Sequence, residues 1–232
     1  MTDPAADPSP ARPRVTLHYA QSLDGRIATH AGSCQWISGE PSRTLQHQLR
    51  AAHAAVLVGV GTVVADDPRL TVRLVPGRSP LRVVLDSTCR LPLTSRVLTD
   101  DGAATLVATT ARAPAERRAA VGATGADVVV LPADGRGRVD VSAVLRELAH
   151  RSMPAVLVEG GGEVITSMLH AGVVDRLVVC VSPVILGAGV DSVGDLGIRD
   201  LADAGTLHGI RSRWLGDALV LEASVSFDGG HR

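Results

Sequence analysis

The chain alternates between short apolar runs of strand length and longer segments whose apolar residues recur at helical spacing. The apolar runs are rich in Val, Leu, Ile and Ala, and Gly, Pro and Asp separate many of them. Strands are predicted at 15–20, 55–59, 82–86, 104–108, 127–131 and 155–158, and helices at 40–54, 114–121 and 141–150. This alternation indicates an α/β fold with crossover units and a largely parallel sheet that helices cover on both faces.

The C-terminal part of the chain follows a different pattern. Residues 176–181 form one more apolar run, and a polar loop follows. Residues 206–215 and 218–227 then alternate between apolar and polar positions, and Gly216 and Asp217 join them. That pattern predicts a hairpin, so the sheet should end in antiparallel strands. We expect a disordered lead-in at 1–13, one domain at 14–227 and a short tail at 228–232.

A glycine-rich stretch between residues 154 and 169 is the most distinctive segment of the sequence. A strand-like run ends at Glu159, three glycines follow, and apolar residues then recur at helical spacing. The first N–H groups of such a helix, together with the positive end of its dipole, attract phosphate. One hypothesis is therefore a dinucleotide pyrophosphate at this turn, with Glu159 facing the chemistry. The alternative is an ordinary strand-to-helix turn, because the full G-x-G-x-x-G spacing is absent.

Composition narrows the classes of function. The net charge is −1, and the sequence has two Trp, one Tyr and one Phe, which argues against a nucleic-acid binder. All 23 basic residues are arginine, so Schiff-base lysine chemistry and a Walker-A phosphate loop are excluded. The three cysteines are far apart, which indicates neither a zinc site nor disulfides and fits a reducing cytoplasm. We predict no metal site and, because no apolar run has the required length, no membrane span.

A few polar residues are candidates for ligand binding. Asp66 and Asp67 precede a proline, where a structural or ribose-binding role is favoured over a magnesium site. Arg50 and Arg73 are candidate phosphate clamps, although a surface arginine is more often a solvated charge. Trp36 could pack in the interior or form one wall of a site for a flat ring.

Several of these motifs occur in an order that closely resembles the pyrimidine reductase domain of riboflavin biosynthesis. In bacteria that domain is usually the C-terminal half of a bifunctional deaminase/reductase. The resemblance covers about 14–227 and is carried by the segments 22–28, 32–37, 61–73, 84–87, 158–161 and 182–187. The H-x-E and P-C-x-x-C signature of zinc deaminases is absent, so we expect no deaminase activity.

The resemblance implies a dihydrofolate-reductase-like fold, which is a three-layer sandwich with a mixed, mostly parallel sheet, usually in a homodimer. It also implies NADPH-dependent reduction of the ribosyl group of 5-amino-6-(5-phosphoribosylamino)uracil, or of the related 2,5-diamino-pyrimidinone, to the ribityl group. The hydride would pass to sugar C1 in the ring-opened imine. Same-fold reduction of another pterin or pyrimidine, such as dihydrofolate, stays an alternative, and so does a non-catalytic nucleotide-binding protein.

The resemblance also implies site residues, carried over by motif. Glu159 and Arg26 would be catalytic. The substrate side would comprise Cys34, Arg50, Leu70, Arg73 and Glu159. The cofactor side would comprise Ala20, Trp36, Thr62, Asp66, Ser87, Gly161, Gly162, Glu163, Val164, Ile165, Thr166 and Ser167.

Two positions leave questions about specificity. Cys34 stands where the family typically has a serine, and a thiol is a weaker donor, so we predict that Cys34→Ser lowers KM for the phosphorylated substrate. Asp86 could bind the ribose hydroxyls of NAD. However, Ser87, Thr88 and Arg90 follow it and could hold a 2′-phosphate, so NADPH is favoured over NADH.

Overall fold

The computed structural model describes residues 12–32 and 39–227. The strands in this part are β1 (Arg14–Ser22), β2 (Arg26–Thr29), β3 (Ala55–Gly59), β4 (Leu81–Leu85), β5 (Thr105–Thr109), β6 (Asp127–Val130), β7 (Ala155–Gly160), β8 (Arg176–Ser182), β9 (Gly189–Asp191), β10 (Thr206–Leu215) and β11 (Ala218–Ser226). The α-helices are α1 (Glu40–Ala51), α2 (Val60–Asp66), α3 (Arg96–Thr99), α4 (Ala115–Gly122), α5 (Val141–His150) and α6 (Gly162–His170), with one 3-10 turn at Leu201–Asp203.

A nine-stranded sheet forms the centre of the fold, in the order β10-β11-β8-β1-β7-β3-β4-β5-β6. The strands from β8 to β6 are all parallel to their neighbours. β11 then pairs antiparallel with β8, and β10 pairs antiparallel with β11. The predicted mixed, mostly parallel sheet with an antiparallel C-terminal hairpin is therefore confirmed.

Side chains of the parallel strands alternate between two hydrophobic cores, one on each face of the sheet. On one face Val15, Leu57 and Val158 pack with apolar residues of α5 and α6. On the other face Val56 and Val84 pack with residues of α1, α2, α3 and α4. Helices thus cover both faces, as the alternation of strands and helices predicted.

Helix α1 begins at the predicted position and ends earlier than predicted. Gly39 is its N-cap and Pro41 lies in its first turn, where a proline loses no intrahelical hydrogen bond. The sequence predicted a helix to about residue 54, but α1 ends at Ala51. The reason is that Ala54 already belongs to the sheet register, since its N–H donates to the carbonyl of Ala155 at 3.2 Å.

A small second sheet was not predicted. β2 and β9 pair antiparallel, with Arg26 opposite Asp191 and Ala28 opposite Val190. Strands of four and three residues are too short to show a clear period of two, and the partners are more than 150 residues apart in the chain. The sequence pattern therefore gave only a turn and a loop at these places.

Some predicted features lie outside the described residues: most of the lead-in, Cys34, Trp36 and the tail at 228–232. Arg12, near the end of the predicted lead-in, forms an ion pair with Asp175 at 2.7 Å. Within the described ranges, no helix combines the length and the apolar character that crossing a membrane requires.

Candidate active site

A large cavity opens at the carboxyl ends of the central parallel strands. Its volume is about 890 Å³, which falls within the roughly 300–1,000 Å³ typical of small-molecule sites. Residues from the ends of β1, β3, β4 and β7 line it, together with the first turns of α2 and α6. Ligands of open α/β sheets bind at this edge, because loops and helix N-termini converge there.

The glycine turn between β7 and α6 forms one wall of the cavity. Gly160 and Gly161 have φ angles of +107° and +32°, a region that side chains disfavour. A Cβ at Gly161 would lie 3.1 Å from the hydroxyl of Thr62, and one at Gly162 would lie 2.5 Å from the carbonyl oxygen of Asp191. The turn therefore packs tightly against α2 and β9. The first N–H groups of α6 and its dipole favour an anion at this position.

The end of β4 forms a second part of the wall. Ser87 lines the cavity, and its hydroxyl accepts a hydrogen bond from the N–H of Val139 at 3.0 Å. Asp86, the alternative NAD-binding residue, is fully buried, and its Oδ2 accepts from the N–H of Leu91 at 2.7 Å. Asp86 borders the cavity from beneath its surface, and its Oδ1 has no hydrogen-bond partner among the described residues, so a ribose hydroxyl would reach this carboxylate only if the wall shifted.

The two aspartates before Pro68 have different environments. Asp66 is the last residue of α2 and lines the cavity. Asp67 is the C-cap in a left-handed conformation, and its Oδ1 accepts from the N–H of Arg96 at 2.7 Å. The structural interpretation was that the aspartate before Pro68 ends a helical turn and the other aspartate binds backbone N–H groups. Asp67 does end the turn, but the bond to a backbone N–H is also made by Asp67.

Glu159, the last residue before the glycines, is held by a network of side chains from α1. Arg50 Nε donates to Oε1 at 2.7 Å, and Arg50 Nη2 donates to Oε2 at 2.7 Å. Gln46 Nε2 also donates to Oε2, at 2.9 Å. The side chains of Arg50 and Glu159 are only 6% and 4% exposed. This is a buried, two-pronged ion pair, the strongest geometry that a guanidinium and a carboxylate can form.

The network extends from Arg50 to the loop after α2. Arg50 Nη1 donates to the carbonyl of Thr71 at 3.1 Å, and Arg73 Nη1 donates to the Thr71 hydroxyl at 2.6 Å. His47 Nδ1 accepts from the N–H of Arg73 at 2.8 Å. Burial, followed by the charges of Arg50 and Arg73, lowers the pKa of His47 to about 4. His47 is therefore neutral at pH 7, as its acceptor role requires.

His18 lies beneath the same region, on the central strand β1. It is buried, lines the cavity, and its Nδ1 is 3.0 Å from the carbonyl of Val178. A carbonyl can only accept, so Nδ1 carries the proton. Burial lowers the pKa of His18, so its ring is also neutral at pH 7.

Every residue that the resemblance assigns to the cofactor, and that lies in the described part of the chain, lines the cavity. Ala20, Thr62, Asp66, Ser87 and the residues from Gly161 to Ser167 all line the cavity. On the substrate side Glu159 lines the cavity, whereas Arg50 and Arg73 lie behind the lining. Arg50 binds the carboxylate of Glu159, and Arg73 is linked to Arg50 through Thr71. The predicted residues Cys34 and Trp36 lie outside the described part of the chain.

Two predicted residues lie elsewhere in the structure. Leu70 is 1% exposed, within the apolar core formed with α2 and α3, so only its backbone could approach a ligand. Arg26 forms an ion pair with Asp191 and donates to the carbonyl of Gly187 at 2.9 Å. Arg26 therefore fixes Asp191, which borders the cavity, and its own side chain is not part of the lining.

Sequence reasoning missed several lining residues, including Gln46, His18, Arg136 and Arg138. Gln46 had a usable signal, because it precedes Arg50 by four residues and so shares its face of α1. Arg136 and Arg138 had none, since they lie in a loop without periodicity and reach the cavity only through the order of the strands.

The sheet order and the position of the cavity define an α/β protein with a dihydrofolate-reductase-like fold. Dihydrofolate reductase from Enterococcus faecalis superposes with a TM-score of 0.50 over 92% of this chain and 96% of that chain, at 14% identity, which establishes the fold alone. The chain belongs to the RibD C-terminal domain family, whose sequence model matches residues 13–213.

Named relatives support this family assignment. The chain is 43% identical over 220 residues to a 2,5-diamino-6-ribosylamino-4(3H)-pyrimidinone 5′-phosphate reductase of Methanothermobacter thermautotrophicus, covering 92% of this chain and 99% of that protein. It is 39% identical to the riboflavin biosynthesis protein RibD of Aquifex aeolicus over 211 residues, which are 90% of this chain and 57% of that protein.

A solved relative gives the same result in three dimensions. The deaminase/5-amino-6-(5-phosphoribosylamino)uracil reductase of Thermotoga maritima superposes with a TM-score of 0.73 at 31% identity. The match covers 93% of this chain and 57% of that one. This chain therefore spans just over half the length of both RibD-type relatives, and nearly the whole length of the Methanothermobacter reductase.

Proposed function

We propose that this protein reduces the ribosyl group of a phosphoribosylamino-pyrimidine to the ribityl group in riboflavin biosynthesis, with NADPH as the reductant. One observation carries the proposal most directly. Glu159, buried in an ion pair with Arg50, directly precedes the glycine turn, and Glu159 and the turn line one cavity of about 890 Å³. A buried carboxylate suited to the substrate thus adjoins a turn suited to phosphate, and the Methanothermobacter relative is named as a reductase of such a pyrimidine phosphate.

The cofactor-side residues fit an elongated dinucleotide. The turn from Gly161 to Ser167 offers helix N–H groups for the pyrophosphate, while Thr62 and Asp66 line the wall beside it. Ser87 marks the end of β4, where the cavity continues toward the loop after β6. When bound, NADPH supplies the hydride; the chain's contribution is to fix the reacting groups in contact and to exclude water.

On the substrate side we assign the phosphate to Arg50 and Arg73, assisted by Cys34. Arg50 uses three of its five N–H groups on Glu159 and Thr71. Its remaining donors and the guanidinium of Arg73 would bind phosphate oxygens by charge-assisted bonds. Cys34→Ser should then lower KM for the phosphorylated substrate, measured by steady-state kinetics, because a hydroxyl is the better donor. An unchanged or higher KM would remove position 34 from the phosphate site.

Glu159 is the proposed catalytic residue, with orientation of the sugar hydroxyls as its main task. Reduction of the imine places a hydride on sugar C1 and a proton on the nitrogen, so one proton must enter from solvent in each turnover. Glu159 lies at the cavity wall and could pass that proton. Its carboxylate already accepts three hydrogen bonds, which favours orientation. Glu159→Gln with normal turnover and an unchanged pH profile would exclude the relay.

The proposal includes a homodimer in the cytoplasm. β10 is an edge strand whose side chains are almost all exposed, among them Leu207, Ile210 and Trp214. Such an edge suits a self-complementary contact between two copies. Cys89 and Cys180 are buried free thiols, and burial raises the pKa of each, which fits a reducing compartment. Sedimentation would report a dimer, and Trp214→Glu should weaken it if the edge is the interface.

The test of function compares substrates side by side. NADPH oxidation would be measured with the deaminated and the undeaminated pyrimidine phosphates, with their dephosphorylated forms, and with dihydrofolate. We expect activity on at least one phosphorylated pyrimidine, most of which is lost when the phosphate is removed. Preferential turnover of dihydrofolate would overturn the substrate assignment, and NADPH binding without turnover of any pyrimidine would indicate a non-catalytic protein.

A further inference from the structure

Two loops contribute arginines to the lining of the cavity. Arg90 lies in the loop after β4, beside Ser87 and Thr88, and all three line the cavity. Arg136 and Arg138 lie in the loop between β6 and α5, and they also line it. In the sheet, β5 separates β4 from β6, so the second loop must cross the end of β5 to reach this position.

Hydrogen bonds fix the second loop in that crossing position. The N–H of Val139 donates to the hydroxyl of Ser87 at 3.0 Å, which ties the loop directly to the end of β4. Asp134 Oδ1 accepts from the N–H groups of Arg136 and Arg138 at 2.9 and 2.8 Å. The turn needs a glycine at 137, where φ is +75° and a Cβ would lie 2.5 Å from Arg112 Nη1. Arg136 therefore projects from a constrained loop.

The charges in this area favour an anion. Arg138 is partly neutralised by Asp134, at 3.1 Å. For Arg90 and Arg136, no ion pair is found among residues 12–32 and 39–227. Asp195 also lines the cavity, and Arg199 holds it in a two-pronged pair at 2.8 Å. The bond with Arg199 and, more weakly, the charge of Arg136 lower the pKa of Asp195, so Arg136 lies within electrostatic range of a carboxylate that already has a partner.

The acidic residue at this strand end borders the cavity but is withdrawn from its surface. Asp86 is 0% exposed; its Oδ2 accepts from the N–H of Leu91, and its Oδ1 has no hydrogen-bond partner among the described residues. An exposed carboxylate here would select ribose hydroxyls and repel a 2′-phosphate. With Asp86 buried, the exposed polar side chains at this end of the lining are those of Thr88, Arg90 and Arg136.

We propose that Arg136, acting with Arg90 from the loop after β4, binds the 2′-phosphate of the cofactor's adenosine ribose and is the main determinant of NADPH over NADH. The inference rests on the proposed function only in taking a nicotinamide dinucleotide as the ligand. A guanidinium suits this task because its planar fork matches two phosphate oxygens at once. Ser87 and Thr88 would complete the subsite as neutral donors.

The test measures the binding of two cofactor fragments, so its result does not depend on catalysis. Calorimetry would compare adenosine 2′,5′-bisphosphate with adenosine 5′-monophosphate on the full chain, for the wild type and for Arg136→Ala, Arg136→Glu and Arg90→Ala. Arg146→Ala is the matched control, because Arg146 is an exposed arginine on α5 outside the cavity lining. Thermal unfolding of each variant would show that the fold is retained.

We expect the wild type to prefer the bisphosphate, and Arg136→Ala to lose about 10–100-fold of its affinity for it, the value of a charge-assisted contact. Arg136→Glu should abolish the preference, while 5′-monophosphate binding stays constant in every variant. In kinetics, the NADPH to NADH ratio of kcat/KM should fall in parallel.

A wild type that binds both fragments equally, or an Arg136→Ala variant that keeps the preference, would overturn the subsite. Failure of the proposed function would look different: the fragments would still be distinguished, but no pyrimidine phosphate would be reduced.

Discussion

The two ends of the cavity are built in different ways. The end that we assign to the cofactor consists mainly of backbone: glycines at the ends of parallel strands and the first turn of α6, closely packed against Asp191 and Thr62. The end that we assign to the substrate consists of side chains, in a network that joins Gln46 and Arg50 of α1 to Glu159. The first end depends on the absence of side-chain atoms, and the second depends on particular charges and their partners.

This difference determines how each end should fail. At the cofactor end, a single added carbon has no space, so the damage is steric and local. At the substrate end, each group is held by another, so removal of one leaves a buried partner unsatisfied and the damage is electrostatic. Four predictions separate these two modes of failure.

The largest effect should follow from breaking the Arg50–Glu159 pair. Arg50→Met or Glu159→Gln alone should cost about 3–5 kcal/mol of unfolding free energy, because each leaves one buried charge without its partner. The double variant should recover much of that stability and stay inactive on the pyrimidine phosphate. Urea unfolding and NADPH oxidation would measure the two outcomes.

The control for this cycle is the exposed pair Arg199 and Asp195, whose side chains are 71% and 66% exposed. Removing it should change stability by less than about 1 kcal/mol. If the single variants at the buried pair are no less stable than this control, the electrostatic description of the substrate end is wrong.

The next largest effect should come from Gly162→Ala. The new Cβ would lie 2.5 Å from the carbonyl oxygen of Asp191, so α6 or β9 must shift. Overpacking costs about 1–3 kcal/mol. If that cost is taken from cofactor binding, NADPH affinity should fall roughly 10–100-fold, to be measured by calorimetry. Gly122→Ala is the control, since nothing lies within 4 Å of its added carbon. Equal NADPH affinity in both variants would remove the glycine turn from the cofactor site.

A smaller effect is expected for Gln46→Ala. Glu159 keeps both bonds from Arg50, so the variant should lose about 1.5 kcal/mol of substrate-binding free energy. This is the lower end of the contribution of a hydrogen bond to a charged group. KM for the pyrimidine phosphate should rise about tenfold, while NADPH affinity should not change. Gln48→Ala, an exposed position on the same helix, should behave as wild type. Weaker NADPH binding in Gln46→Ala would show that the two ends are not separable.

The smallest effect at neutral pH should come from His47→Gln, because His47 matters mainly in acid. Its folded pKa of about 4 lies below the ordinary value, which is roughly 6.5 in an unfolded chain. Between these values the unfolded chain binds the extra proton, so stability falls as pH falls, by up to about 1.4 kcal/mol per pH unit. Above roughly pH 6.5 the contribution is complete, and below about 4 it is lost.

Urea unfolding at several pH values between about 7 and 4 would compare the wild type with His47→Gln, whose slope should be shallower. His18 and His53 also have lowered pKa values, caused mainly by burial, and both remain in the variant. The difference between the two curves therefore isolates His47. Identical slopes would contradict its role as a neutral acceptor for the N–H of Arg73.

The contrast between the two ends also explains what the sequence could predict. The parallel strands, α5 and the hairpin at Gly216 follow from periodicity and turn residues, and all were located to within a few residues. The glycine turn was located because its chemistry is contained in one continuous segment. The same holds for the residues of α6, whose apolar positions are buried as their spacing predicted.

The substrate network could not be predicted in the same way. Arg50 and Glu159 are 109 residues apart, and no local pattern states that they meet. The resemblance placed both in one site but assigned Arg50 to phosphate, whereas the structure shows that most of its bonded donors serve Glu159. The burial of Asp86 and the crossing of the Arg136 loop likewise depend on the order of strands in the sheet.

The central position of β1 has a consequence for synthesis of the protein. β1 ends at Ser22, yet both of its neighbours, β7 and β8, are made only after residue 154. At about 5–20 residues per second, the first strand waits on the order of ten seconds for a partner. During that time the strands from β3 to β6 can assemble in chain order. The apolar strand β1 stays exposed, because both of its edges are still unpaired. Nascent chains of this protein should therefore depend on chaperones until β8 emerges from the ribosome.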